Sequence, residues 1–244
     1  MTDSRRSYFL YRLIWTSLDF LFPPKCGGCG KPGSRWCAEC QQNIVLISKP
    51  YCTVCGNPIR TNANVCRDCQ IDRPCFRVLR SWSVFETPIR NALHRLKYRQ
   101  DIGLGDALAV QFSGFVSSLK WPIDIIVPVP LGQKRLNERG YNQVGLIARP
   151  LSLSMNLTYA PNVLSRERDT RSQVGLTKLE RHKNVRGAFI AKRSRVNNHV
   201  VLLVDDVATT GSTLSSCAEA LYAAGAQDVF AVTVARALAH HSLV

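Results

Sequence analysis

The sequence predicts an α/β protein, a parallel sheet flanked by helices and preceded by a small cysteine-rich head. Three observations predict it. Nine of the ten cysteines (Cys26, Cys29, Cys37, Cys40, Cys52, Cys55, Cys66, Cys69 and Cys75) fall in the first 75 residues, and only Cys217 follows. From residue 76 onward, short apolar runs of strand length alternate with stretches of helical period. The run VVLLV, residues 200–204, is continuously apolar, as expected of a strand covered on both faces. A chain of 244 residues has room for a medium domain and an appendage. The expected division is an amphipathic helix (1–22), the head (23–75) and the body (76–244).

The first segment, YFLYRLIWTSLDFLF (Tyr8 to Phe22), contains Arg12 and Asp19 and falls short of the roughly 20 apolar residues of a membrane span. It also lacks the small-residue cleavage site of a secretory signal. It reads as a helix docked on the body, with a peripheral membrane contact as the alternative. A cytoplasmic protein is expected, and in that compartment CxxC pairs are more often metal ligands than disulfides.

In the head, CGGC (26–29), CAEC (37–40), CTVC (52–55) and CRDC (66–69) are separated by seven, eleven and ten residues. Each two pairs supply four thiolates for a tetrahedral Zn²⁺ site, so two structural zinc ions are expected. CGGCGKP and CTVCGNP form an internal repeat with a period of 26 residues, and the glycine after each second cysteine suits a tight knuckle turn. Sequential grouping of the ligands is simplest, and a cross-braced grouping stays open. Cys75 lies outside the pattern and reads as a spare core thiol. Such a head serves stability or contact with a partner.

The body begins with a strand at RSWSVF (80–85). Thr87 is expected to cap a helix with Pro88 at its first position and an apolar stripe of Ile89, Ala92, Leu93 and Leu96. Its other side carries Arg90, His94 and Lys97, either a solvated face or one turned toward a phosphate. IDIIVPVP (123–130) is a second strand, followed by a polar, basic loop, LGQKRLNERGYNQ. A helical stretch starts near Asn142, and Pro150 predicts a kink or restart there. After residues 200–204, Leu214, Cys217, Ala218 and Leu221 repeat at helical spacing, Gly225 supplies a C-terminal cap, and DVFAVTVA (228–235) is a last strand. Cys217 sits on the apolar stripe and reads as core.

The net charge is +15, and residues 165–195 alone carry +7. Eight metal-bound thiolates would leave the head near neutral, so the basic part is the body. That balance attracts phosphates, whether on nucleic acid or on a small substrate.

Two adjacent carboxylates, Asp205 and Asp206, follow the apolar run and lead into ATTGST (208–213). Amides and hydroxyls of such a loop at a helix start can surround a phosphate, and two carboxylates upstream can accept hydrogen bonds from a vicinal diol. A 5-phosphorylated ribose offers both groups, with Mg²⁺ between its diol and a pyrophosphate. The alternative makes Asp206 a helix cap and Asp205 a solvated turn residue. A Walker-type loop is disfavoured, because no lysine follows Gly211.

VVLLVDDVATTGST (200–213) resembles the 5-phosphoribosyl-1-pyrophosphate (PRPP) motif of type I phosphoribosyltransferases. The chain as a whole resembles the ComF/GntX family, a double zinc ribbon joined to a phosphoribosyltransferase-like domain. The resemblance is carried by LFPPKCGGCGKPG, CAEC, YCTVCGNP, CRDC, LKY (96–98), VPVPLGQKRLNERGYNQ (127–143) and TRSQVGLTKLERHKNVRGAF (170–189). It implies that Asp205 and Asp206 hold the ribose hydroxyls at the catalytic centre. Ala208, Thr209, Thr210, Gly211, Ser212 and Thr213 would bind the 5-phosphate, and Lys134, Arg135 and Arg139 would face the pyrophosphate. The 170–189 stretch looks like the mobile loop of glutamine amidophosphoribosyltransferase, with Gln173, Arg181 and Asn184 as its polar candidates. The implied activity is Mg²⁺-dependent phosphoribosyl transfer to an acceptor left open. The family links the protein to natural competence, and hence to single-stranded DNA and the DNA-uptake machinery. The second reading is a non-catalytic DNA-binding accessory protein of transformation with a regulatory PRPP site. A third makes the ribbon itself a partner-binding module.

Overall fold

The structure, a computed structural model, describes residues 23–59, 63–167 and 187–238. The expected helix at Tyr8–Phe22 and the loop candidates Gln173, Arg181 and Asn184 lie outside the described residues.

The head holds two one-turn helices, α1 (Ala38–Gln42) and α2 (Arg67–Ile71), each starting at a cysteine. The body is built on β1 (Val78–Val84), β2 (Ile125–Pro128), β3 (Thr158–Tyr159), β6 (Val200–Ala208) and β7 (Asp228–Arg236). These form one sheet in the order β1-β7-β6-β2-β3, and every pairing in it is parallel. A short antiparallel pair, β4 (Leu164–Arg166) and β5 (Phe189–Ala191), lies apart from that sheet.

The helices are α3 (Ile89–Tyr98), α4 (Gly103–Ser118), α5 (Gln133–Arg139), α6 (Gln143–Met155), α7 (Arg193–Val196) and α8 (Ser212–Ala223). Strand alternation divides the core in two. Val201 and Leu203 of β6 face the layer built with Leu214, Cys217, Ala218 and Leu221 of α8. Val200, Leu202 and Val204 face the layer built with α3, α4 and α6. Apolar burial on both faces is what the uninterrupted run of valine and leucine requires.

Several local expectations are corrected. Thr87 does not cap α3, whose first residue is preceded by Pro88 with no capping side chain. The basic stretch after β2 is not all loop, since residues 133–139 form α5, closed by Gly140. Helix α4 carries three glycines, Gly103, Gly105 and Gly114, which obscure its period in the sequence. Pro150 brings no restart, and α6 runs continuously from Gln143 to Met155. Proline lacks the N–H that would reach the carbonyl four residues back, that of Leu146. That carbonyl lies where α4 presses against α6, and a Cβ on Gly105 would sit 2.8 Å from it. Cys75 is exposed rather than a core thiol: its amide donates to Ser215 Oγ (3.0 Å), and it is the next residue, Phe76, that enters the core.

The head is not a separate bead. Residues 44–47 run antiparallel beside β1, with the Val84 amide donating to the Val45 carbonyl (2.8 Å) and Ile47 N–H to Trp82 O (3.3 Å). Cys52, Val54, Cys55 and Cys69 share the α8-side core, and Ile44 and Trp36 pack on the other. The first knuckle is held by α3: Asn91 donates to Gly28 O (2.9 Å), and Arg95 donates to Cys26 O (3.0 Å).

Gly105→Ala is expected to destabilise the protein by about 1–3 kcal/mol through overpacking against Leu146. Gly114→Ala, where an added methyl meets nothing within 4 Å, is expected to gain roughly 0.5–1 kcal/mol. Urea denaturation midpoints of the two variants, moving in opposite directions, check this.

Candidate functional site

The sheet order creates a crevice by itself. Leaving β6, the chain passes through α8 to β7 on one side, and leaving β2 it passes through α5 and α6 to β3 on the other. Ligand sites of open parallel sheets form where connections diverge in this way, beyond the carboxyl ends of the strands. A cleft of about 550 Å³ lies there, bounded by Val129–Leu131 after β2 and by Asp205–Val207 of β6.

The two carboxylates are not on a turn. β6 continues through Ala208, and Asp205 is in register with Thr233 and Ala208 with Arg236 of β7. Neither aspartate is a helix cap, since α8 begins after Gly211 with no capping side chain. Asp206 is buried, paired with Lys97 of α3 (Nζ–Oδ2, 2.8 Å) and accepting from Gln143 Nε2 (3.0 Å). Gln143 in turn accepts from Arg139 Nη1 (2.7 Å), and that guanidinium lies over the Tyr98 ring at 5.2 Å. A relay thus runs from Arg139 through Gln143 and Asp206 to Lys97.

The environments of the pair diverge. Burial, and next the charge of Asp206, push the Asp205 carboxyl up to about 8. Burial also acts to raise Asp206, but the Lys97 ammonium and the Gln143 amide outweigh it and hold this carboxyl below the ordinary range. Two like charges in one low-dielectric site cannot both be ionised cheaply, so one carries the charge and the other a proton at neutral pH.

Beyond Ala208 the chain forms a tight loop. Gly211 has φ +81°, and its position against the Phe76 ring leaves 3.5 Å to an added Cβ. Thr210 and Ser212 hydroxyls bond each other (2.8 Å), and the Ser212 amide donates to Thr210 Oγ1 (3.3 Å). The first-turn amides of the twelve-residue α8 have no helical acceptors and carry the positive end of its dipole. That combination suits a phosphate.

Of the residues singled out from the sequence, Asp205, Asp206, Arg135, Arg139 and Thr213 line the cleft. Lys134 is exposed and does not line it. Ala208 is buried in the ladder, and its carbonyl accepts from Ala237 N (2.9 Å). Of Arg90, His94 and Lys97, only Lys97 reaches the cleft, while the other two are exposed. Sequence reasoning gave no role to Gln143, Tyr98, Tyr141 or Arg166, all of which line it. LKY and GYNQ held signals for the first three. Arg166 had none.

The head brings together two clusters, Cys26/Cys29/Cys37/Cys40 and Cys52/Cys55/Cys66/Cys69, with the sulfurs of each within 4.8 Å of one another. Grouping is therefore sequential, not cross-braced. The sulfur separations are 3.6 Å for Cys26–Cys40, 3.7 Å for Cys29–Cys37 and 3.7 Å for Cys55–Cys66. A tetrahedral Zn²⁺ with bonds near 2.3 Å has sulfur–sulfur edges of about 3.8 Å, so the donors fit zinc in kind and in spacing.

Fold and site define a class. Residues 17–70 match the family profile described as double zinc ribbon domain. Residues 136–242 match the phosphoribosyl transferase domain. The chain is 31% identical over 209 residues to Competence protein F of Haemophilus influenzae, covering 82% of this chain and 90% of that protein. It is 31% identical over 218 residues to DNA utilization protein YhgH of Escherichia coli K12, covering 81% and 94%. It is 30% identical over 240 residues to Competence protein ComFC of Bacillus subtilis, covering 94% and 92%. The chain belongs to this competence protein F family. Among the described residues, no helix is long and apolar enough to cross a membrane.

Metal analysis of the purified chain is expected to give two zinc ions per protein. Cys26→Ser and Cys52→Ser, each measured by atomic absorption, are each expected to lose one of the two.

Proposed function

We propose that the protein binds PRPP with Mg²⁺ in the β6–β2 cleft and transfers its phosphoribosyl group to an acceptor nucleophile. The observation that carries this reading is the adjacent carboxylate pair lining the cleft on β6, with Asp206 held by Lys97 and Gln143, one loop away from the start of α8. Asp205 and Asp206 can hold two adjacent ribose hydroxyls, Asp206 accepting and Asp205 accepting or donating according to its proton. Residues 209–213 would receive the 5-phosphate through amides and hydroxyls. Arg135 and Arg139 border the cleft where a pyrophosphate at C1 would extend, and Lys97 adds positive charge beside Asp206.

In the transfer, the bond from C1 to the pyrophosphate oxygen breaks and the electron pair leaves with pyrophosphate. A new bond forms from the acceptor to C1. The protein need supply no nucleophile, only orientation and charge complementary to the departing anion. The donor set fits Mg²⁺ arriving with the ligand's own oxygens: Asp206 is already engaged by Lys97, and a cation would draw the proton from Asp205. When bound, Mg²⁺ neutralises charge on the leaving pyrophosphate.

The name of the DNA utilization relative, the competence names of the others and the charge of +15 support a second reading, a DNA-binding accessory role with PRPP as regulator. Single-stranded DNA binding would then weaken steeply with salt, and an affinity that hardly varies with salt counts against it.

Calorimetric titration with PRPP and Mg²⁺ is expected to show binding that Asp206→Asn weakens at least tenfold (about 1.4 kcal/mol). No heat at millimolar PRPP would refute the reading.

Proton linkage provides a separate measurement. The unliganded Asp205 holds a proton up to about pH 8, and the cation-bound form releases it. Affinity is therefore expected to rise with pH, by up to about tenfold per pH unit, and to level off above about 8. Asp205→Asn is expected to flatten that slope. A wild-type affinity that falls between pH 7 and 8 would contradict the assignment.

A further inference from the structure

We propose that Arg236 is a positioning residue through which the second thiolate cluster sets the conformation of the phosphate loop. The inference rests on the reading of residues 209–213 as that loop.

Arg236 ends β7 and is the largest fully buried side chain among the described residues, 2% exposed. Its guanidinium grips two backbone carbonyls from distant parts of the chain. Nη1 donates to Thr209 O at 3.1 Å, and Nη2 donates to Cys55 O. One acceptor belongs to the loop after β6. The other belongs to the knuckle whose sulfurs form the second cluster.

Each end of this bridge has a geometric consequence. In a planar trans peptide the N–H points opposite to the C=O. Holding the Thr209 carbonyl on the Arg236 side turns the Thr210 amide the other way, which fixes one donor of the loop. At the far end, Cys55 O lies between a metal ligand and Gly56. A Cβ on Gly56 would come within 2.7 Å of Leu79 O, so the knuckle lies flush on β1. The Leu79 amide donates to Val54 O at 2.8 Å within the same contact. The knuckle's shape, and with it the position of Cys55 O, depends on the ion that gathers its four sulfurs.

Electrostatics favours the same coupling. Four thiolates around Zn²⁺ carry a net charge of about −2, and a buried guanidinium beside them has a counter-charge that it would lack in a relaxed cluster. An unpaired buried cation is strongly unfavourable. Loss of the second metal would therefore remove both an acceptor and a charge partner from Arg236, leaving the Thr209 carbonyl without its anchor. The loop also rests on the first residues past the ribbon, with Gly211 against Phe76 and Leu79. The first cluster has its own attachments, to α3, and none of those described reaches the loop.

Hydrogen exchange on the full, zinc-loaded chain without ligand tests this. Arg236→Met is expected to raise exchange in a peptide spanning 208–213 by about tenfold or more, with two zinc ions retained and α4 protection unchanged. Arg236→Lys, which keeps the charge and one donor, is expected to restore part of the protection. Cys55→Ser is expected to raise exchange in the same peptide, and Cys29→Ser, in the first cluster, to leave it unchanged. Unaltered loop exchange in Arg236→Met, or an equal rise in Cys29→Ser and Cys55→Ser, overturns the proposal. If Arg236→Met fails to fold, the two cysteine variants decide by the same criterion. A second readout uses Co²⁺ in place of zinc. By reciprocity of coupling, adding PRPP and Mg²⁺ should shift the thiolate-to-cobalt band of the Cys29→Ser variant, whose intact cluster is the second. A wild-type protein that binds no PRPP refutes the proposed function and leaves the exchange result standing. One that binds PRPP without loop exchange responding to Arg236 refutes only the coupling.

Discussion

Two adjacent carboxylates sit on a strand whose other residues belong to the core, and the surrounding structure answers that constraint. A buried anion needs a partner or a proton, and the protein supplies one of each. Lys97 pairs with Asp206 from α3, and Gln143 reaches it from α6. Asp205, one residue earlier on the strand, has its carboxyl pushed up to about 8 by burial and by the charge of Asp206. The ion pair ties β6 to α3, and the amide ties it to α6. Through it the helical layer is held against the end of the strand where the cleft opens.

The head enters this arrangement as part of the core. Its first knuckle is gripped by Asn91 and Arg95 of α3, the helix that carries Lys97 two residues beyond Arg95. Asp101 links Arg35 of the head with Arg95 (3.4 and 2.8 Å). The second knuckle shares a hydrophobic layer with α8. The first knuckle thus abuts the helix that carries Lys97, and the second packs in the α8-side layer. Interior packing at crystal-like density transmits displacement instead of absorbing it, so a change in either cluster is felt by the residues it supports.

Much of the fold was legible because its signals are local. VVLLV announced a two-sided strand, and Leu214, Cys217, Ala218 and Leu221 announced the helix behind it. The cysteine spacing revealed both clusters, and the structure supplied only the grouping. What stayed hidden was set by tertiary contact. Helix α4 was masked by its glycines, of which Gly105 lets it approach Leu146 while Gly114 faces open space. Pro150 was read as a break, yet packing carries the helix through it. At the site, the aspartates and the hydroxyl loop were visible, being contiguous. Gln143 and Arg166 were not assigned, because a neutral amide, or one arginine among many in a basic segment, has meaning only once the topology places it beside Asp205 and Asp206. Lys134 and Arg135 are neighbours in sequence, but α5 turns only one of them toward the cleft.

The segment at residues 44–47 joins the two knuckles and also lies along the open edge of β1. A strand edge without such cover invites other chains to pair with it. The connector therefore shields the sheet against self-association while it spaces the metal sites. Head and body are thus joined by backbone hydrogen bonds as well as by shared core packing. A body given a foreign head would keep a bare edge on β1 unless the new connector brought a matching strand.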